Sequence, residues 1–407
     1  LGGNFPVVPV YDMKIKQDDL VVATHGRSFW ILDDLTPLRK FASKSSGSNK
    51  GTSGGIQFFP PRTTFRRTLN WSVNLFLGDG KNYSPDFGLP GTHYQETTPD
   101  GEKRFRYLDM GENPPEGVIV NYFLESELKQ PLELVILDDD GKEIERFSSN
   151  LFDSDPKDKD NKEEEKPSLP TKLGFNRFVW NMRYPGPEIK IDKALEKPGY
   201  KQLGRIAPFG GGSSGGPVAP PGNYQVQLKT GKTEITHSFE IIKDPRLKTT
   251  AEDFAEQFNL WTKIRDKVSA TNFAINKIRR INHQITALLA REIFSNSAAE
   301  KKITEVRKTA ETLREKLSKI ENQLTQNQYE TPSDRLRHPT MLKERMEALV
   351  SVVSVSDASP PEQAHAVYEN LSSKIDDQLA LLSKLEKQDL PRVNKQIEQA
   401  GIQKLQG

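Results

Sequence analysis

The chain has 407 residues, 34% of them apolar and 28% charged, and its 58 basic and 56 acidic side chains leave a net charge of +2. That balance makes no overall field toward nucleic acid or a membrane surface, and no apolar run reaches the roughly 18–20 residues of a bilayer-spanning helix. Cysteine is absent, which excludes disulfides, thiolate metal sites and a cysteine nucleophile, while the length suffices for two or three domains with their own cores.

Residues 7–41 read as β. Leu20 to Ala23 and Phe29 to Leu32 are apolar runs separated by the turn-prone His25-Gly26-Arg27. Residues 43–55 (SKSSGSNKGTSGG) have the composition of a linker or surface loop. Residues 56–116, rich in proline, glycine and aromatics without periodicity, read as irregular extended chain. Strand signals then sharpen. Val118, Val120, Tyr122 and Leu124 alternate onto one face, and "LELVILDDDGKEIERF" is strand, Asp140-Gly141 turn, strand. "LGFNRFVWNMRY" sets Phe178, Trp180 and Met182 on one side, and "GNYQVQLKTGKTEITHSFEII" is a second hairpin around Thr230-Gly231. Short antiparallel strands in this number predict an immunoglobulin-like β-sandwich over 117–247, with long surface loops at 152–171 and 185–221.

From Thr250 the period becomes helical. Thr250 and Asp253 are placed as a capping box, and Phe254, Phe258, Trp261, Ile264 or Arg265, and Val268 follow at helical spacing. Ile303, Val306, Ala310, Leu313, Leu317, Ile320 and Leu324 form a seam of alternating threes and fours. Tyr368, Leu371, Ile375, Leu379, Leu382 and Leu385 form another stripe. Pro332, Pro360-Pro361 and Pro391 punctuate the region. The pattern predicts a C-terminal antiparallel bundle of three or four long helices over 250–405.

"DLVVATHGRSFWILDD" resembles the closing blade of sortilin-type and bacterial-neuraminidase-repeat β-propellers, found in large exported bacterial proteins often labelled glycosyl hydrolases. Ala23, Thr24, His25, Gly26, Arg27, Trp30, Leu32, Asp33 and Asp34 match that pattern, and Ser28 stands where it has a second glycine. "FNRFVWNMRYPGP" and "APPGNYQVQLKTG" are similar to the region after the propeller in the same proteins, so the resemblance spans about residues 15–245 in order. It implies a multidomain β-then-α chain: final strands of a partial propeller blade at 1–42, a linker at 43–116, the sandwich at 117–247 and the helix bundle at 250–405. A blade is a four-stranded sheet whose faces are buried by its neighbours in the ring. Residues 1–42 are therefore expected to be completed by upstream propeller blades or by another chain. The resemblance also implies an exported, periplasmic or extracellular location. The preferred reading is a non-catalytic structural or binding role, mediating recognition of protein or ligand. The alternative is an accessory region of a sialidase-like glycoside hydrolase whose active site lies mostly upstream.

The candidate ligand-binding residues are His25 and Arg27. Arg27 either grips a carboxylate, as sialidase arginines do, or stabilises a tight turn by pairing with Asp33 or Asp34, and the second reading is preferred. Asp33 and Asp34 are adjacent, so in a strand they point to opposite faces and cannot act as a glycosidase pair; they are expected to end a strand and bind backbone N–H groups. No catalytic residue is assigned, since neither an arginine cluster with a tyrosine nucleophile nor an Asp-box is recognisable. Asp153, Asp155 and Glu164 mimic calcium-loop spacing, but Lys157 and Asp158 break it, leaving a solvated acidic loop. "DDDG" at 138–141 reads as a hairpin turn, and the glycine-rich 209–217 lacks the ending of a phosphate loop. The histidines at 25, 93, 237, 283, 338 and 365 have no metal-ligand spacing, and no cofactor is expected. "KIRR" at 277–280 has acidic neighbours and no interleaved aromatics, so no nucleic-acid partner is expected.

Overall fold

A computed structural model describes residues 5, 7–45, 55–67, 79–84, 91–97, 103–108, 115–149, 168–192, 195, 216–290, 301–329, 334 and 336–400. The acidic run at 153–166, residues 209–215 of the glycine-rich stretch and Pro332 lie outside the described residues. The chain forms two compact units. The first comprises Leu1–Arg67, Ser72–Arg183 and Ala219–Leu247, and the second comprises Thr68–Trp71, Tyr184–Val218 and Lys248–Gly407. β-Sheets make up the first, and helices dominate the second.

The first unit opens with β1 (Val10–Lys16), β2 (Asp19–Thr24) and β3 (Phe29–Leu32) in an antiparallel sheet of that order. Gln17 and Asp18, both with left-handed φ (50° and 68°), make the two-residue turn whose twist suits a hairpin. Helix α1 (Thr36–Ser45) then stands where the pattern predicts strand running into linker. Asp34 explains its start, because its Oδ1 accepts from Thr36 N at 3.0 Å and Pro37 follows in the first turn. Phe41 anchors it, with ring centroids 4.8 Å from Phe123 and 5.3 Å from Phe175.

The segment predicted to be irregular also contributes strands: β4 (Ile56–Phe58), β5 (Thr64–Arg66), β6 (Gly80–Ser84), β7 (Gly91–Thr97) and β8 (Lys103–Tyr107). β6, β7 and β8 make a sheet of their own. The predicted strands and hairpins follow as β9 (Val118–Leu124), β10 (Glu133–Leu137), β11 (Glu143–Ser148), β12 (Gly174–Trp180), β13 (Gly222–Thr230) and β14 (Thr233–Lys243). They assemble into a five-stranded sheet, β11-β10-β13-β14-β5, and a three-stranded one, β12-β9-β4. β5 joins β14 in parallel, where the pattern predicts antiparallel strands throughout. A three-residue strand after Pro60-Pro61 carries no alternation to read, and only the open edge of β14 recruits it.

The alternating residues of β9 are fully buried as predicted. Rings join the five-stranded sheet to the β12-β9-β4 sheet: Phe147 of β11 meets Phe178 of β12 at 4.7 Å, and Trp180 of β12 lies 6.1 Å from Tyr224 and 6.3 Å from Phe239. The Tyr122 hydroxyl donates to Pro170 O, and burial pushes its pKa up. Gly141 (φ +78°) and Gly231 (φ +55°) take the turn conformations that side chains resist.

In the second unit the helices are α2 (Ala251–Leu289), α3 (Lys301–Leu324), α4 (Leu342–Val353), α5 (Glu362–Lys384) and α6 (Leu390–Gln399). Thr250 and Asp253 form the predicted capping box, each side chain bonding the other's backbone N–H at 3.2 and 2.8 Å. All seven residues of the α3 seam are buried.

Ion pairs set the helix directions. Arg279 meets Glu321 and Asn282 meets Ser318, so α3 runs against α2. Lys267 meets Asp376 and Lys277 meets Glu386, so α5 runs parallel to α2. Lys316 meets Asp389, so the α5–α6 column opposes α3. Gln257 Nε2 donates to Val353 O at 2.8 Å, which places the end of α4 beside the start of α2. The bundle is thus three columns, up, down and up, with the middle one broken into α3 and α4. Pro391 does not stop the last column. A π turn at Leu385–Asp389, in which Leu390 N donates to Leu385 O, widens the helix just ahead of it. Among the described residues, no helix is long and apolar enough to cross a membrane.

Candidate functional site

His25 and Arg27 occupy the exposed hairpin between β2 and β3. Thr24 Oγ1 donates to Ser28 O at 2.6 Å, and His25 N donates to Pro9 O at 3.0 Å. Trp30 Nε1 donates to Arg27 O at 3.0 Å, and the His25 ring lies 5.0 Å from that of Tyr11. Gly26 (φ +72°) and Ser28 (φ +64°) are both left-handed, so the serine holds a conformation that suits the glycine of the resembling pattern. The turn forms as expected, but the Arg27 guanidinium pairs with neither Asp33 nor Asp34. Those carboxylates lie at the far end of β3, a strand's length from the turn. Asp19 has the partner instead, its Oδ1 accepting from Arg62 Nη1 at 2.7 Å and from Asp34 N at 2.9 Å.

Asp33 and Asp34 end β3 as predicted, with Asp34 (φ +57°) serving Thr36 of α1. Burial, and then Asp19, push the Asp33 carboxyl above the usual carboxylate range; Arg62 and Arg177 offset part of this and Asp34 adds to it. A carboxyl raised in the folded state stays protonated where the unfolded chain has already lost its proton, so stability falls as pH rises through that window and stays lower above it. Asp33→Asn is therefore expected to raise the unfolding midpoint of the first unit at about pH 7 and to leave it nearly unchanged at about pH 3. Equal midpoints of variant and wild type at the higher pH, in thermal melts, contradict this.

The β1–β3 sheet has a second property that the strand pattern leaves open. Cross-strand partners share a face, which places Met13, Ile15, Leu20, Val22, Trp30 and Leu32 on one side, with Val21, Ala23, Phe29 and Ile31 on the other. Val22 is buried, but Met13 and Ile15 are each 59% exposed, and across the sheet Phe29 is 73% and Ile31 60% exposed. Apolar side chains stand in water on both faces.

The second unit carries a groove of about 750 Å³ between α2 and α5. Ala270, Phe273 and Ala274 of α2 and Leu379 and Leu382 of α5 line it, and the strap from Pro185 to Ile189 forms a wall. That strap belongs to the helical unit, whereas the sequence pattern predicts a loop on the sandwich. Three side chains at helical spacing hold its backbone. Ser269 Oγ accepts from Ile189 N at 2.9 Å, Asn272 Nδ2 donates to Ile189 O at 2.8 Å, and Asn276 bonds both Lys190 O (2.7 Å) and Asp192 N (2.9 Å). Gly216 closes the strap's start, where a Cβ would lie 2.1 Å from Pro185 O. Polar residues on the buried side of α2 were the available signal, since Asn272 and Asn276, like Gln257 and Thr271, stand among its buried apolar residues.

The remaining candidates are accounted for locally. Lys277, Arg279 and Arg280 of the basic patch meet Glu386, Glu321 and Asp192, respectively. Asp138 Oδ1 accepts from Lys142 N at 2.8 Å in the predicted turn. His237 packs on Phe58 at 4.9 Å, and His365 pairs with Glu256 at 3.2 Å. Among the described residues, no group of three or more histidine, aspartate or glutamate side chains is placed to hold a metal ion. No family model, curated protein or solved structure matches the chain.

Proposed function

We propose that this chain is the binding and structural C-terminal region of a large exported protein of the sortilin-type or bacterial-neuraminidase-repeat class. In this reading β1–β3 belong to its closing propeller blade. The five-stranded sheet and the β12-β9-β4 sheet form an immunoglobulin-like sandwich, and the helices are a module that recognises a protein partner. His25 and Arg27 present contact groups to a ligand. The observation that carries the reading is the β1–β3 sheet, apolar and exposed on both faces. A three-stranded sheet gains independent stability by packing at least one face, and one with two apolar faces fits between two further layers, as a blade sits between its neighbours.

Hydrogen exchange on the 407-residue chain tests it. Without covering layers, amides of β1–β3 are expected to exchange at least about 100-fold faster than those of β9, β10 and β13. Protection of residues 10–32 equal to that of β9 sinks the reading, because the sheet would then be self-sufficient.

A further inference from the structure

We propose that the groove between α2 and α5 is the docking site for a segment of a partner protein that carries a lysine or arginine beside large apolar side chains. This rests on the reading of the helices as a protein-recognising module and deepens it, on observations independent of the β1–β3 sheet. The apolar half of the match comes from the groove itself. Ala270 and Ala274 leave space above α2, Leu379 and Leu382 line the opposite side, and Phe273 is 54% exposed. A half-exposed aromatic ring beside small residues offers an anchoring surface for an incoming side chain.

The charges set the sign of the ligand. Arg265 is matched by Asp266 at 2.7 Å and Lys277 by Glu386 at 2.7 Å. Glu188, exposed on the rim, has no hydrogen bond or ion pair among the described residues, so the unmatched charge is negative. Moreover, α2 already holds one segment by its backbone, that of Ile189 and Lys190, through Ser269, Asn272 and Asn276. Those bonds fix the wall in advance, so docking orders mainly the incoming segment.

The test uses the whole chain and two fluorescein-labelled amphipathic peptides of about 16 residues, one of leucine and lysine and one of leucine and glutamate. Anisotropy is expected to show saturable binding of the first and none of the second. Ala270→Arg, which fills the groove from an exposed position, and Glu188→Lys, which reverses the rim charge, are each expected to weaken binding at least about tenfold with helical circular dichroism unchanged. Should Ala270→Arg lose helix, Glu188→Lys carries the test alone. The proposal is overturned if both peptides bind alike, or if a folded variant binds as wild type. Lysine methyl ester binding as tightly as the peptide also overturns it, because the groove is then a small-cation site. Ile31→Lys, in the first unit, is expected to leave peptide binding unchanged, which separates this outcome from the fate of the sheet reading.

Discussion

Trp180→Ala is expected to destabilise the first unit by about 3–5 kcal/mol. Trp180 is wholly buried in β12, and its ring lies against Tyr224 and Phe239 of the facing sheet. Truncation removes these contacts and leaves a cavity that the sheets cannot fill without losing their hydrogen-bonded register. It also removes the Nε1 donor that serves Arg183 O at 3.2 Å. The backbone offers little relief on this side, since a Cβ at Gly117 would meet Trp180 O at 2.2 Å. Trp180→Phe keeps most of the ring volume but not the donor, so a smaller loss, about 1–2 kcal/mol, is expected. Urea unfolding followed by near-ultraviolet circular dichroism reads both. If alanine costs less than about 1 kcal/mol, the sheets are not held through this ring.

The second large effect lies in the helical unit. Arg279 and Glu321 pair at 2.8 Å with only 11% and 9% of their side chains exposed, and Arg279 Nη2 also donates to Asn327 Oδ1 at 3.0 Å. Arg279→Ala leaves a buried carboxylate without its counter-charge and is expected to cost about 3–5 kcal/mol. The double variant Arg279→Met with Glu321→Met removes both charges, replaces them with apolar volume and is expected to be more stable than Arg279→Ala. By contrast Lys267–Asp376, whose aspartate is 56% exposed, is worth no more than about 1 kcal/mol. A double-mutant cycle on Arg279 and Glu321, read by helical circular dichroism, checks the coupling. Additive single effects indicate that the pair does not fix the register of α2 against α3.

At both sites the buried face is legible in the residues, and the partners are not. Trp180 falls in an alternating run, and Leu317 and Ile320 of the α3 seam repeat at three and four. Each is legible because a single period assigns every residue of the element to the same buried face. The hairpins at Asp140-Gly141 and Thr230-Gly231 are legible because only certain residues accept a positive φ. His25-Gly26-Arg27 is legible as a turn for the same reason. That Arg27 does not pair with Asp33 or Asp34 is not legible, because these are near in sequence but separated from it by the length of β3. Nor is the pair that does form at this sheet, Arg62 with Asp19, because its partners stand 43 residues apart.

The groove was hidden for a related reason. Pro185, Gly186 and Glu188 look like loop, and nothing near them in sequence announces Asn272 or Asn276. Sequence by itself determined the β-then-α order, the buried faces of β9 and α3, the tight turns and the capped start of α2, all of which arise from bonds and side-chain periods within a few residues. Tertiary structure alone decided the parallel addition of β5, the placement of the strap with the helices, the partners of the buried charges and the apolar exposure on both faces of β1–β3. Each of these depends on which distant group arrives to satisfy a backbone edge, a carboxylate or an apolar face, and no local pattern encodes that arrival.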